Sequence, residues 1–325
     1  MTDTLTESAT ERDEWLQRRR TGIGASDVAG IIGLSPWASP YSVWADKTGL
    51  TSDTEPTDVM QIGLLAEHVI APMYTARTGR TLHGVQLECA NAEHLWQKCT
   101  LDAFEGDTDD LTAADALVEM KWTGESVKAW DEEIPLHYRC QAAWQSIVTG
   151  IEQVRFAVIH SAFGRHQFAI YDYTPDPDDK AMIERACSEF WHEHVLTGIA
   201  PDVDHSTATT DAITEAWGRI PDADDVMYAD DDLSLQETVR ALDRARRDRL
   251  AAQDNEKQIS NLLKARMQDC TELVVDGEPI CSWRPQQTNR LDTTALRKAH
   301  PDIADQFTTS TTSRVLRTHK TKGRK

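Results

Sequence analysis

In this 325-residue chain the residues best placed to do chemistry are Asp102 in TLDAF, and Glu119 and Lys121 in ALVEMKW. Both segments read as strands, joined by an acidic, glycine-containing loop. Residues two apart in a strand point to the same face, about 6–7 Å from each other, so Glu119 and Lys121 project together while Val118 and Met120 turn into a core. Two carboxylates on neighbouring strands suit a hard divalent cation such as Mg2+, which prefers oxygen ligands. A lysine beside them can orient the attacking water or help deprotonate it, and the sum is metal-assisted phosphodiester hydrolysis. The spacing alone is a weak signal, because a Glu and a Lys one residue apart occur by chance in many exposed strands.

The elements around these residues sharpen the reading. IGLLAEHVIAPMYTARTG has a helical period, with Ile62, Leu65, Ala66, Val69, Ile70 and Met73 on one face and Leu64, Ala71 and Tyr74 near the other. A helix apolar almost all round is expected to be buried. Glu67 stands in its midst, and a buried carboxylate needs a cation or a proton; the alternative is a partly exposed Glu in an ion pair. HYRCQAAWQSIVTG reads as a helix ending on Gly150, with Tyr138, Gln141 and Gln145 on one face as a polar stripe or an ordinary wet surface. DEWLQRRR and ASDVAGIIG read as two earlier helices, the second with Ser26 and Asp27 as cap candidates. VRFAVIHSAF and HQFAIYDYT form a hairpin pattern. The order gives a mixed α/β core.

Residues 201–215, rich in Asp, Thr, Ser and Ala, read as a linker. Beyond it, Leu235 to Met267 reads as one long charged helix with an interrupted apolar seam, suited to a partner, followed by the Asp-Gly hairpin ELVVDGEPICSWR. The expected division is therefore a core over residues 1–205 and a section over 206–325 made of long helix, short hairpin and basic tail.

Composition excludes several classes. The longest apolar run, Val28 to Leu34, falls far short of the ~20 residues that span a membrane, and the start has no apolar core of a secretion signal, so the chain is expected in the cytoplasm. Six scattered cysteines without a CxxC pair argue against disulfides, a zinc ribbon or an iron-sulfur cluster. No G-x(4)-GK[ST] loop indicates ATP use. His192 and His194 in WHEH face different ways on a helix and read as surface histidines, while most of the ten Trp belong in the core. A net charge of −20 argues at first against nucleic acid, but the charge is polarised. The last thirteen residues carry six Lys and Arg and no acid, and six acids crowd into Asp222 to Asp232, where a solvated loop is expected.

Taken together, RRRTGIGASDVAGIIGLSPW, IGLLAEHVIAPMY, LDAF with VEMK, and HYRCQAAWQSIVTG stand in the order of motifs in a known family. Over about residues 15–160 the chain resembles the YqaJ-type viral recombinases, which include phage lambda exonuclease, within the PD-(D/E)xK nucleases. The resemblance implies an α/β (α+β) fold with a restriction-endonuclease-like core, a mixed central sheet flanked by helices, and a helical C-terminal extension. It implies that Asp102 and Glu119 hold Mg2+, or Mn2+ as a substitute, with the Met120 main-chain carbonyl as third ligand. Lys121 would position the water, Glu67 would be a further acid at the metal, and Gln141 would stand on the opposite wall. Arg19 and Ser26 match positions that bind the terminal 5′-phosphate of DNA. The activity implied is 5′-to-3′ digestion of double-stranded DNA ends leaving 3′ single strands, by a homo-oligomeric ring, a trimer, that hands its product to a single-strand annealing protein. Two rivals stand beside it: a structure-specific or restriction-like endonuclease on the same core, and a catalytically inactive DNA-binding subunit, against which the intact Asp102, Glu119 and Lys121 argue.

Overall fold

The alternation of Val118 and Met120 with Leu117, Glu119 and Lys121 builds an eight-residue strand in the computed structural model, which describes residues 17–52, 57–218 and 225–319. The chain divides into two compact units, Met1–Gly218 and Arg219–Lys325.

The first unit opens with helices α1 (Ala25–Ile31), α2 (Pro40–Lys47) and α3 (Asp58–Thr78). Strands β1 (Leu82–His83), β2 (Leu87–Ala90), β3 (Lys98–Leu101), β4 (Ala103–Glu105) and β5 (Ala116–Thr123) follow. Helices α4 (Val127–Glu132) and α5 (Leu136–Thr149) then lead to β6 (Val154–Ala162), β7 (Arg165–Tyr173), α6 (Pro177–Glu189) and α7 (Thr207–Ala216). The central sheet has the order β1-β4-β5-β6-β7 and is mixed: β5 runs parallel to β6, and every other neighbouring pair is antiparallel. A parallel pair needs a crossover, and α5 supplies it. Strands β2 and β3 form a separate two-stranded ribbon. The expected mixed sheet flanked by helices is thus present.

Local signals set these boundaries as expected. Gly150 ends α5 in the left-handed conformation that only glycine adopts without cost. The β6–β7 hairpin turns on Phe163 and Gly164, both at positive φ, the backbone of a tight primed turn. Both sheet faces are covered. Val118 and Met120 pack with Ala66, Ile70 and Tyr74 of α3, while Leu117, Phe156 and Val158 pack with Trp130 and Trp144 on the other side.

Three expectations need correction. Helix α3 buries only Ala66, Ile70 and Tyr74; Leu64, Leu65 and Val69 are about half exposed, because the sheet covers one stripe of the helix. Residues 201–215 are no linker throughout: α7 forms behind a Ser206 cap and packs on α2, where Thr209 Oγ1 donates to Ser39 Oγ at 2.7 Å in a buried contact, so the first unit extends to Gly218 rather than 205. The cap of α1 is Gly24, and Ser26 and Asp27 lie inside the first turn, with Asp27 accepting the Gly24 N–H at 2.8 Å.

In the second unit, α8 (Leu233–Met267) runs for 35 residues from an Asp232 cap, followed by the hairpin of β8 (Glu272–Val275) and β9 (Glu278–Ser282) on the expected Asp276-Gly277 turn. Short helices α9 (Thr293–Ala299) and α10 (Pro301–Gln306) complete it. Thr318 donates to Asp243 at 2.5 Å and accepts from Arg246, so the start of the basic tail lies along α8. Residues 320–325 of that tail, part of the acidic run and the first half of the DEWLQRRR segment lie outside the described residues.

Candidate active site

Asp102 sits at the break between β3 and β4, where the chain passes from the ribbon to the central sheet. Its Oδ2 accepts the Met120 N–H at 2.7 Å, which ties it to the middle of β5. Glu119 and Lys121 project from one side of β5, as the strand period requires, and form an ion pair. The stripe on α5 is no ordinary wet face. Gln141 and Gln145 donate one to each oxygen of Glu119, at 2.5 and 2.6 Å, and the Tyr138 ring lies 5.3 Å from Lys121 Nζ. Gln145 and Glu119 are each 1% exposed, so these bonds replace water almost completely.

Glu67 reaches the cluster from α3, half-buried, and accepts from Gln86 Nε2 at 2.6 Å rather than from a basic partner. Gln86 holds a positive φ of 55°, a conformation rare outside glycine, and its N–H points to the Asp102 carbonyl at 3.4 Å. It therefore links the two acids, and nothing in the local sequence marked it.

Charge makes the cluster unbalanced. Burial raises the Asp102 carboxyl well above its ordinary range, Glu119 and Glu67 raise it further, and Lys121 and the Met120 N–H oppose this. Burial also raises Glu67, partly offset by Gln86 and reinforced by Glu119. Lys121 is desolvated, but Glu119 and Asp102 outweigh that and raise its pKa. Three carboxylates against one ammonium is an arrangement that a cation would relieve. Among the described residues no three His, Cys, Asp or Glu side chains form a ready-made metal cage. Mg2+ does not require one, since it is commonly held by one or two carboxylates plus water and substrate phosphate. The all-oxygen donors Asp102 and Glu119 fit that cation.

A cavity of about 600 Å3 opens beside the cluster, and Gln141 lines it. Arg18, Arg19, Ser26 and Lys98 supply polar lining, Glu88 pairs there with Arg18 at 3.3 Å, and Cys89 and Cys99 line the cavity too. The chain before α1 is fixed there by backbone pairing, Ile23 N–H to the Trp96 carbonyl at 2.7 Å and Lys98 N–H to the Ile23 carbonyl at 2.9 Å. Gly22 must be glycine for this approach, since a Cβ would collide with the Trp96 carbonyl. Lys98, absent from the sequence-based candidates, donates to the Arg18 carbonyl at 3.0 Å and to Thr21 Oγ1 at 2.5 Å, and its ammonium has no ion-paired carboxylate among the described residues. Only the β2–β3 register and the Ile23 pairing bring it here.

Asp27 organises this wall from beneath. It pairs with Lys47 at 2.6 Å and Arg19 at 3.2 Å. Burial would raise its pKa, but Lys47 and Arg19 outweigh burial and hold it at about 2, against an ordinary 3.8. A depressed acid contributes stability that is complete above its unfolded pKa and is lost as pH falls through its folded pKa. Asp27 is thus expected to contribute about 2 kcal/mol above pH ~4 and to lose it between about pH 4 and 2. Acid unfolding of Asp27→Asn, compared with the native chain, checks this: the variant should start less stable and show a flatter decline in that window.

His192 is exposed, as expected, whereas His194 is half-buried; each is engaged with a nearby backbone carbonyl, of Ser188 and Ile199 respectively. Trp130 and Trp144 are core residues, while Trp122 is half-exposed.

Residues 14–152 match the model of the YqaJ-like viral recombinase domain. Over those residues the chain is similar to that domain. That YqaJ-like segment spans all the expected site residues: Arg19, Ser26, Glu67, Asp102, Glu119, Met120, Lys121 and Gln141. Likeness to a relative extends further, since the uncharacterized protein YqaJ of Bacillus subtilis is 29% identical over 311 residues, 92% of this chain and 91% of that protein. Among solved structures, the alkaline exonuclease LHK-Exo of Laribacter hongkongensis aligns with a TM-score of 0.45 at 20% identity, over 57% of this chain and 94% of that one. A phage-related exonuclease of Haemophilus somnus 129PT aligns at 0.43 and 9% identity, over 55% and 96%.

Proposed function

We propose that the YqaJ-like domain is a Mg2+-dependent deoxyribonuclease that digests the 5′-ended strand of duplex DNA in a phage-type recombination system, leaving a 3′ single strand. The observation that carries this reading is the adjacency of two features: an acidic cluster with one lysine, and a cationic cavity joined to it through Gln141. Asp102 and Glu119, with the Met120 carbonyl, would hold the metal, and Glu67 would touch it or its water. The bound cation supplies a lowered water pKa and a charge for the phosphate to lean on. Lys121 orients the water, kept charged by Glu119 and Asp102. Gln141 and Gln145 hold the Glu119 carboxylate in place. In the cavity, Arg19 and Ser26 grip the terminal 5′-phosphate, a guanidinium fork being suited to phosphate oxygens. Lys98 adds a further cation there. A grip on the 5′ end beside the acids would draw the strand into the site from that end.

The same reading places the protein in the cytoplasm, as a ring, a trimer, with a single-strand annealing protein as its partner. The half-exposed apolar residues of α3 (Ile62, Leu64, Leu65, Val69) supply a surface that subunit packing would cover. Among the described residues no helix is long and apolar enough to cross a membrane. An acidic exterior around a basic, metal-bearing interior would reconcile the net charge of −20 with a DNA substrate.

Covalently closed circular duplex tests the reading against an endonuclease. An end-dependent enzyme leaves the circle intact and degrades the same DNA once it is linearised; cutting of the closed circle at a comparable rate overturns the proposal. The basic tail makes a separate prediction. If its charges neutralise phosphates, deleting residues 318–325 should reduce the dependence of log DNA affinity on log salt by about one for each phosphate the tail had neutralised. An unchanged slope, measured by fluorescence anisotropy over a salt series, removes the tail from the DNA-binding surface.

A further inference from the structure

Two cysteines that lie ten positions apart in the sequence become direct neighbours in the fold. Strands β2 and β3 pair antiparallel with Cys89 opposite Cys99. Directly opposed residues in such a pair have Cα atoms about 4.5 or 5.5 Å apart, and both values fall within the range that a disulfide spans. Cys89 Sγ donates to the Leu87 carbonyl of its own strand, at 3.8 Å, and both cysteines are free thiols. Cys89 is half-buried, Cys99 is buried, and both line the cavity that holds Arg18, Arg19 and Lys98. A small oxidant thus has a route to the pair, and cations stand beside it. The sequence itself argued against disulfides, because it has no CxxC pair and nothing in it reports the register of two strands joined by a loop.

We propose that Cys89 and Cys99 are a reversible disulfide site, a redox-sensitive staple in the wall of this cavity. With a peroxide as oxidant, the Cys89 sulfur attacks one peroxide oxygen, the O–O bond breaks, and the departing hydroxide takes the Cys89 proton to become water. Cys89 is left as a sulfenic acid. The Cys99 sulfur then attacks the Cys89 sulfur, the S–O bond breaks, and the hydroxyl leaves as water with the Cys99 proton. Two thiols have been oxidised to one disulfide and one peroxide reduced to two waters. A dithiol reductant reverses the bond by exchange. The staple would clamp β3, which begins at Lys98 and runs directly into Asp102, against β2.

The test uses the full-length protein with hydrogen peroxide in slight excess, followed by alkylation of remaining thiols and trypsin digestion without reductant. Trypsin cuts after Lys98 and so places Cys89 and Cys99 on separate peptides. The expected product is a linked Cys89–Cys99 peptide pair, lighter by two hydrogens than its two thiol forms, which dithiothreitol separates. The Cys99→Ser variant should instead accumulate a sulfenic acid on Cys89 that dimedone traps. Exposed Cys270 provides the internal control. Oxidation of Cys270 while Cys89 and Cys99 remain fully alkylatable overturns the proposal, as does recovery of Cys89 bridged to any other cysteine.

Discussion

Glu119→Gln should abolish DNA cleavage while leaving duplex binding close to that of the native chain. The substitution keeps the shape of the side chain and removes one charge from the three-acid cluster. Lys121 loses its ion-pair partner, and an amide is a far weaker ligand than a carboxylate for a hard cation. If the metal is the main stabiliser of charge in the transition state, the loss is several kcal/mol, or roughly a thousandfold or more in rate. The cationic groups of the cavity are untouched, so affinity for DNA should persist. Single-turnover digestion at ordinary Mg2+, with anisotropy for binding and a melting curve to confirm folding, makes the measurement. Cleavage within about tenfold of the native rate would remove Glu119 from the site. Lys121→Ala should also slow hydrolysis strongly, with a smaller effect on the Mg2+ concentration needed.

Arg19→Ala should erase most of a preference for phosphorylated 5′ ends. A charge-assisted bond to phosphate is worth about 1.5–3 kcal/mol, or roughly ten- to a hundredfold in rate. The fold should tolerate the change. Asp27, the partner that Arg19 leaves behind, still has Lys47 at 2.6 Å and the Gly24 N–H at 2.8 Å, so no buried charge is stranded. Initial rates on 5′-phosphoryl and 5′-hydroxyl duplexes, for the native chain and the variant, give a direct reading. The preference should be present in the first and largely absent in the second, with metal dependence unchanged. Equal native rates on both ends would remove the phosphate grip.

What could be read from the sequence was what local geometry dictates. The two-residue period of a strand placed Glu119 beside Lys121, the 3.6-residue period of α5 placed Gln141 and Gln145 on one face, and Gly150 ended that helix in the conformation expected of it. Contacts set by distant pairing were not legible. Lys98 and Gln86 reach the site only because β2 pairs with β3 and the chain bends at Asp102. Helix α3 shows another limit: an apolar sequence all round says that a helix can be buried, while the layers actually packed on it decide how much is, and here one stripe of Ala66, Ile70 and Tyr74 is covered. At 201–215 the composition misled, because Ser, Thr and Asp serve linkers and helix caps alike, and a Ser206 cap with a buried Thr209–Ser39 bond turned the segment into a helix.

Digestion of linear duplexes labelled at either the 5′ or the 3′ end, with and without Mg2+, bears most directly on whether this acidic cluster degrades DNA from the 5′ end. With Mg2+, a 5′ label should be released at once as a mononucleotide, while the 3′-labelled strand shortens progressively from its far end and keeps its label until late; with chelator, neither should change. Early release of the 3′ label, or equal digestion in the absence of a divalent cation, would contradict it.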